Sequence, residues 1–322
     1  MADSLRLGTR NSPLARWQAD WAATQLRAHG IATQIVPITT QGDDQSASLR
    51  AFGGVGLFTK AIQLALLNDE IDLAVHSLKD LPTHPIDGLC LAAVPKRESV
   101  RDVIISRSAG GLDGLPANAQ IGTGSPRRQA QLLHHRGDLR MLDIRGNVDT
   151  RLRKLSAGEY DAIVLAEAGL RRLGIMPEGS QIIPMDLMLP AVGQGALAIE
   201  CREDAAEVRE CLAVLEDPIS RQSVLAERTL LGALRAGCLA PVGAWARVEA
   251  TTPASETDAI PRDTQLQLSA VVLSADGQQR LDVHVSGPLM EAASLGRQAA
   301  EQLFALGAER LISAAHEDPS AS

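Results

Sequence analysis

Apolar positions along this chain follow two rhythms. Nearly uninterrupted apolar runs at residues 71–75, 89–94, 103–106 and 163–166 predict strands covered on both faces, each bounded by helical or loop signals. Elsewhere apolar residues recur at helical spacing, as at Leu14, Trp17 and Trp21 and again at Leu132 and Leu133. Strands alternating with helices predict mostly parallel sheets, whose ligands sit beyond the carboxyl ends of the strands. The loops that follow strands are therefore where chemistry is expected.

Two segments share one pattern: Leu7-Gly8-Thr9-Arg10-Asn11-Ser12-Pro13 and Ile121-Gly122-Thr123-Gly124-Ser125-Pro126. In each, an apolar strand end runs into Gly-Thr and then Ser-Pro, which places a capping hydroxyl before a proline at the first helical position. The repeat predicts two similar α/β lobes with a cleft between them. After Pro218 the pattern changes to a long helix over 218–236, strands over 266–272 and 281–285 joined by Ala275-Asp276-Gly277, and a helix over 290–311. This predicts a small α+β domain at the carboxyl end, followed by a polar, frayed tail from residue 316.

A length of 322 residues fits two or three domains, and 45% hydrophobic with 22% charged residues is ordinary for a globular chain. Aromatics at 2% leave little from which to build base-stacking platforms, and a formal charge of −8 disfavours a phosphate-backbone partner. No signal peptide or membrane span is expected, which places the chain in the cytoplasm. Cys90, Cys201, Cys211 and Cys238 show neither a C-x-x-C pair nor zinc-finger spacing, so reduced thiols and no metal are expected. Lysine occurs only at Lys60, Lys79, Lys96 and Lys154; arginine supplies every other cation, either through genome composition or because its planar fork grips carboxylates.

Position distinguishes those readings. Arg127 and Arg128 fall in the first turn of a helix, where cations are locally unfavourable unless an anion sits between them and the free N–H groups, or unless both bend away into solvent. Arg10 precedes the other Ser-Pro helix, Arg145 and Arg151 follow a strand beside Gly146, and Arg171 and Arg172 follow the strand at 163–166. Such a set converges on a ligand with several carboxylates or phosphates, and the absence of a G-x-x-x-x-G-K-[ST] motif disfavours a nucleotide. His76-Ser77-Leu78-Lys79-Asp80 follows the strand at 71–75, so Asp80 is either half of an exposed ion pair or an acid, base or cation stabiliser. Cys238 falls in a loop between helix and strand, either as a structural thiol or as a site for covalent work.

Taken together, GTRNSPLA, DLAVHSLKDLP, IGTGSPRRQ, IRGNVDTRL, EYDAIVLAEAGLRRLG, LPAVGQGALAIECR and AGCLAPVG, in this order across about residues 5 to 245, closely resemble the porphobilinogen deaminase (hydroxymethylbilane synthase) family. The resemblance implies an α/β fold of two periplasmic-binding-protein-like lobes with a cleft between them plus a small α+β C-terminal domain. The implied division is 1–98 with 195–217, 103–190 inserted within it, and 218–322. It implies a transferase that condenses four porphobilinogen molecules, with loss of ammonia, onto a dipyrromethane cofactor held by Cys238 through a thioether. Asp80 is then the catalytic carboxylate; Ser77, Lys79, Thr123, Ser125, Arg127 and Arg128 hold the cofactor; Arg10, Ser12, Arg145, Arg151 and Arg172 contact substrate. A monomer is implied. Gln41, Val55 and Ala61 stand where the family usually has arginine, lysine and glutamate, which bears on gating of chain growth. A cytosolic polycarboxylate-binding sensor of the same two-lobe fold is the competing reading, and an enzyme of another type acting on a phosphate ligand comes third.

Overall fold

The computed structural model describes residues 4–39, 59–108, 110–237, 240–248, 261 and 263–317. Gln41, Val55, Cys238 and residues 318–322 of the polar tail lie outside them. The chain opens with β1 (Leu5–Thr9), α1 (Pro13–Ala28), β2 (Thr33–Pro37), α2 (Lys60–Leu67), β3 (Leu73–Ser77) and β4 (Leu89–Ala93). It continues through β5 (Asp102–Ser106), β6 (Gln120–Gly122), α3 (Pro126–His135), β7 (Arg140–Leu142), α4 (Val148–Ser156), β8 (Ala162–Ala166), α5 (Glu167–Arg172) and β9 (Ser180–Ile182). Next come β10 (Leu197–Arg202) and α6 (Ala206–Leu212), and then α7 (Pro218–Ala233), β11 (Val242–Val248), β12 (Gln265–Leu273), β13 (Arg280–Pro288), α8 (Ala292–Ala305) and α9 (Ala308–Glu317).

Two five-stranded sheets carry the lobes: β2-β1-β3-β10-β4 in lobe 1 and β7-β6-β8-β5-β9 in lobe 2. In each, four of the five strands run in one direction, as expected of mostly parallel sheets, and one reversed strand makes two of the four pairings antiparallel. The reason is the crossing of the chain between lobes. β10 returns to lobe 1 antiparallel to both β3 and β4, and β5 enters lobe 2 antiparallel to both β8 and β9. Because β10 runs backwards, its amino end sits beside the carboxyl ends of β1 and β3.

Local chemistry explains the element starts. Ser12 caps α1 by accepting from the Ala15 N–H, with Pro13 at the first position, and Ala19, Ala22, Ala23 and Leu26 then form its buried stripe. Asn147 caps α4 through Thr150 N–H, and Asp217 caps α7 through Ser220 N–H with Pro218 following. The strand expected at 71–75 lies two residues later, so His76 and Ser77 end β3 instead of opening a loop. The helix expected over 290–311 breaks into α8 and α9 because Gly307 adopts a left-handed φ of +96°. In the third unit, α7 and α8 cover the antiparallel sheet β11-β12-β13, burying Leu230, Leu266, Leu268, Ala299 and Leu303. Truncating such a core leucine to alanine costs about 2–5 kcal/mol.

Candidate active site

The parallel halves of both sheets point their carboxyl ends into one cleft of about 730 Å³. Its walls come from the turn after β1, the turn after β3, the loops after β6, β7 and β8, and the segment that leads into β10. Eight cationic side chains face two carboxylates, Asp80 and Asp143, so the cleft favours an anionic guest. Arg10, Ser12, Ser77, Lys79 and Asp80 line it from lobe 1; Ser125, Arg127, Arg128, Arg145, Arg151 and Arg172 line it from lobe 2. Thr123 is placed differently. It is fully buried below the lining, and its hydroxyl accepts from the Ser125 N–H.

On the lobe 1 side, Ser77 at the end of β3 accepts a hydrogen bond of 2.9 Å from Gln18 on α1. A single turn of 3₁₀ helix follows, anchored by buried Leu78, and it presents Asp80 at the exposed rim. Beside it the Lys79 ammonium donates to Gln194 Oε1 at 3.3 Å. Burial, together with Arg128 and Arg127, lowers Lys79 to about 8 against the opposing pull of Asp80 and Asp102.

On the lobe 2 side, the arginine pair does not bend away into solvent, and the anion between its two members is a carboxylate of the protein itself. Arg127 and Arg128 are buried, and both clamp Asp102, whose side chain is wholly enclosed at the start of β5. Arg127 Nη1 lies 2.8 Å from Asp102 Oδ2 and donates to the Leu189 carbonyl at 2.7 Å. Arg128 donates to Asp102 Oδ1 through Nε and Nη2, at 3.2 and 2.7 Å, and to the Val164 carbonyl through Nη1. Burial alone would raise Asp102, but the two guanidinium groups override it and hold the carboxyl well below its ordinary range. Burial likewise lowers Arg127.

The remaining arginines are held more loosely. Arg151 Nε donates to the Gly146 carbonyl, and burial and Arg128 lower its pKa to about 10. Gly146 sits at φ +109°, where a Cβ would lie 2.5 Å from Thr150 Cγ2, so the loop needs glycine there. Arg145 pairs with Asp143 at 2.9 Å in a half-exposed position, and Tyr160 fixes that loop by donating to the Asp143 carbonyl. Arg172 donates to the Gly195 carbonyl and lies 5.9 Å from the Trp17 ring of lobe 1; burial lowers it to about 10.

Sequence reasoning missed two residues of this site. Asp102 supplies the counter-charge for Arg127 and Arg128, and Gln194 links Asp102 to Lys79. A carboxylate opening an otherwise apolar strand, and an amide between two glycines, were the available signals. The third unit meets the lobes through Glu227, which is fully buried and accepts from Arg97, Gly193 N–H and Ala246 N–H. Ala236 and Ala240, two positions to either side of Cys238 in the sequence, share a buried cluster with Val192, two residues from Gln194. Among the described residues there is no cluster of three metal-ligating side chains and no helix long and apolar enough to cross a membrane.

Two family models match the chain. The porphobilinogen deaminase dipyrromethane cofactor binding domain matches residues 5–210, and the porphobilinogen deaminase C-terminal domain matches residues 221–305. A porphobilinogen deaminase from Pelotomaculum thermopropionicum is 44% identical over 321 residues, covering 99% of each chain. One from Desulforudis audaxviator is 47% identical over 309 residues, covering 95% of this chain and 96% of its own. Among solved structures, a nutrient-binding protein from Burkholderia cenocepacia bound to methionine covers 70% of this chain and 94% of its own at 13% identity and a TM-score of 0.42. That likeness is too loose to support a shared ligand.

Proposed function

The chain belongs to the porphobilinogen deaminase family, and from that membership we propose how the cleft carries out the condensation. It is a transferase that joins porphobilinogen units head to tail, with loss of ammonia, and it works with a dipyrromethane cofactor. Each porphobilinogen ring bears an acetate and a propionate, so a guest of several linked rings is strongly polyanionic. The cleft fits that chemistry: about 730 Å³ with eight cations, fed by loops of both lobes.

The dipyrromethane supplies a free pyrrole α-carbon as the nucleophile. Cys238 would carry it through a thioether; the position of Ala236 and Ala240 beside the segment leading to the cleft supports that role. Ser77, Lys79, Thr123, Ser125, Arg127 and Arg128 are assigned to its side of the cleft. Thr123 acts through the Ser125 backbone, since its own hydroxyl is buried. Arg128 gives its Nε, Nη1 and Nη2 to Asp102 and the Val164 carbonyl, and Arg127 gives its Nη1 to Asp102 and the Leu189 carbonyl, so the pair is fixed by the protein and contributes a fixed positive field.

Arg10, Ser12, Arg145, Arg151 and Arg172 are assigned to the incoming porphobilinogen. Arg145 and Arg151 are the more adaptable, because each gives its Nε to an internal acceptor and keeps the outer end of the guanidinium at the cleft. Asp80 is assigned the reacting centre. Its carboxylate accepts from pyrrole N–H groups and stabilises the azafulvenium cation that forms from substrate when ammonia departs. The single observation that carries this reading is the placement of an exposed carboxylate, Asp80 at the lobe 1 rim, among cations converging from both lobes.

The proposed division into 1–98 with 195–217, 103–190 and 218–322 is supported by the membership of the three sheets. The formal charge of −8 supports a small-molecule partner over a nucleic acid, and we take the enzyme as a cytoplasmic monomer. Intact-mass measurement of the purified chain tests the assignment of Cys238. The expected mass exceeds that of the sequence by two linked pyrroles, and the excess disappears in Cys238→Ser; an unmodified, inactive wild-type chain would instead favour a polycarboxylate sensor.

A further inference from the structure

Gln194 lies at the crossing of the two segments that join the lobes. It is buried, and it is flanked by Gly193 and Gly195, which adopt left-handed φ values of +72° and +86°. A Cβ on Gly195 would sit 2.4 Å from the Glu98 carbonyl oxygen and 2.6 Å from that of Ser99, so the return segment presses directly on the outgoing one. Between those glycines the Gln194 amide faces both ways. Its Oε1 accepts from the Lys79 ammonium of lobe 1 at 3.3 Å, while its Nε2 donates to the Val100 carbonyl at 2.7 Å and to Asp102 Oδ1 of lobe 2 at 3.0 Å. A flipped amide would set oxygen against oxygen at Val100 and Asp102, so the surroundings allow only this orientation.

We infer that Gln194 is a positioning residue for the condensation: its amide holds the Lys79 ammonium in the cleft and, from its other end, fixes Asp102 beneath Arg127 and Arg128. Asp102 is a buried anion whose charge acts on Lys79, and a released ammonium that turned to it would draw charge away from the cleft and compete with the arginine clamp. An amide prevents this because it offers an acceptor to lobe 1 and a donor to lobe 2; neither a carboxylate nor a thioether can do both. The charged groups that face Lys79 are Asp80, Asp102, Arg127 and Arg128, and burial among them lowers it to about 8, which makes its ionisation a sensitive report on the partner it keeps. The inference rests on the reading of the cleft as the condensation site.

The chain contains four lysines, so the ε-¹³C resonances of lysine-labelled holoenzyme can be titrated individually, with Lys79 identified by its loss in Lys79→Arg. Gln194→Met removes the acceptor that favours the ammonium, and the Lys79 midpoint is expected to fall by roughly one unit. Gln194→Glu places an anion there and is expected to raise the midpoint by a similar amount, while its repulsion from Asp102 lowers turnover. Gln194→Asn, one methylene too short to reach both partners, should behave as Gln194→Met and serves if the glutamate variant does not fold. Folded variants in which the Lys79 midpoint stays where the wild type has it, with turnover reduced by one factor at every pH, overturn the inference. Porphobilinogen consumption by the wild type, measured alongside, separates the two readings: an inactive, unprimed wild type sinks the function itself, whereas an active wild type with an unmoved Lys79 sinks only the role of Gln194.

Discussion

Each lobe carries an aspartate directly after a cation in sequence, Lys79-Asp80 in lobe 1 and Arg101-Asp102 in lobe 2, and the fold treats the two in opposite ways. Asp80 sits at the exposed rim of the cleft after a buried strand has ended, whereas Asp102 opens a strand and is sealed beneath Arg127 and Arg128. A carboxylate enclosed by two guanidinium groups is withdrawn from the cleft, and its energy goes into holding those groups in place. An exposed one, among cations that gather an anionic substrate, is available to positive charge that develops during reaction. The lobes share a sheet plan and, under the proposed function, divide the labour: lobe 2 would supply the fixed field, and lobe 1 the group that meets the reacting atoms.

Removing either carboxylate breaks the comparison in a different place. Asp102→Ala leaves two buried arginines without their counter-charge and is expected to cost about 3–5 kcal/mol of folding stability, read by chemical denaturation. Its pH signature is also distinctive. The folded carboxyl lies below its ordinary value of 3.8, so its contribution is fully present above that pH and is lost as pH falls below it; Asp102→Ala should flatten that part of the acid limb. Asp80→Ala should leave melting and the attached primer mass unchanged while turnover falls by about 10²–10³-fold, the range seen when one preorganised electrostatic group is removed. Normal turnover in that variant would remove Asp80 from the mechanism. A large loss of stability would mean that it is a second scaffold carboxylate and that the division between the lobes is mistaken.

The difference between these two residues also marks what the amino-acid pattern could disclose. Helix starts at Ser12-Pro13 and Ser125-Pro126 depend on neighbours in sequence, so they were legible, as were the buried strands through Ile104, Ile163 and Leu268. The cleft position of Arg10, Arg145, Arg151 and Arg172 followed from the rule that loops after parallel strands converge. Asp102 and Gln194 were not legible, because their partners lie 26 and 115 positions away in the chain and meet only where the lobes cross. The antiparallel course of β5 and β10 has the same origin: a short apolar run announces a strand, but its direction is set by the path between lobes.

The finest contrast between the lobes lies in the two serines of the repeated pattern. Ser12 uses its hydroxyl to cap α1, accepting from Ala15 N–H at 3.3 Å, whereas Ser125 makes no side-chain capping bond to α3 and is instead held by Thr123 through its own N–H. Ser12→Ala should therefore cost about 1 kcal/mol of stability, the usual value of a lost cap. Ser125→Ala should stay within about 0.5 kcal/mol of the wild type, since no helix terminus depends on that oxygen. Ser125 lines the cleft, so Ser125→Ala should act on primer retention, read as the fraction of chains carrying the added mass. Equal denaturation midpoints for the two variants would mean that the pattern serves the same purpose twice, and the specialisation of lobe 2 would then have to rest on its arginines and Asp102 alone.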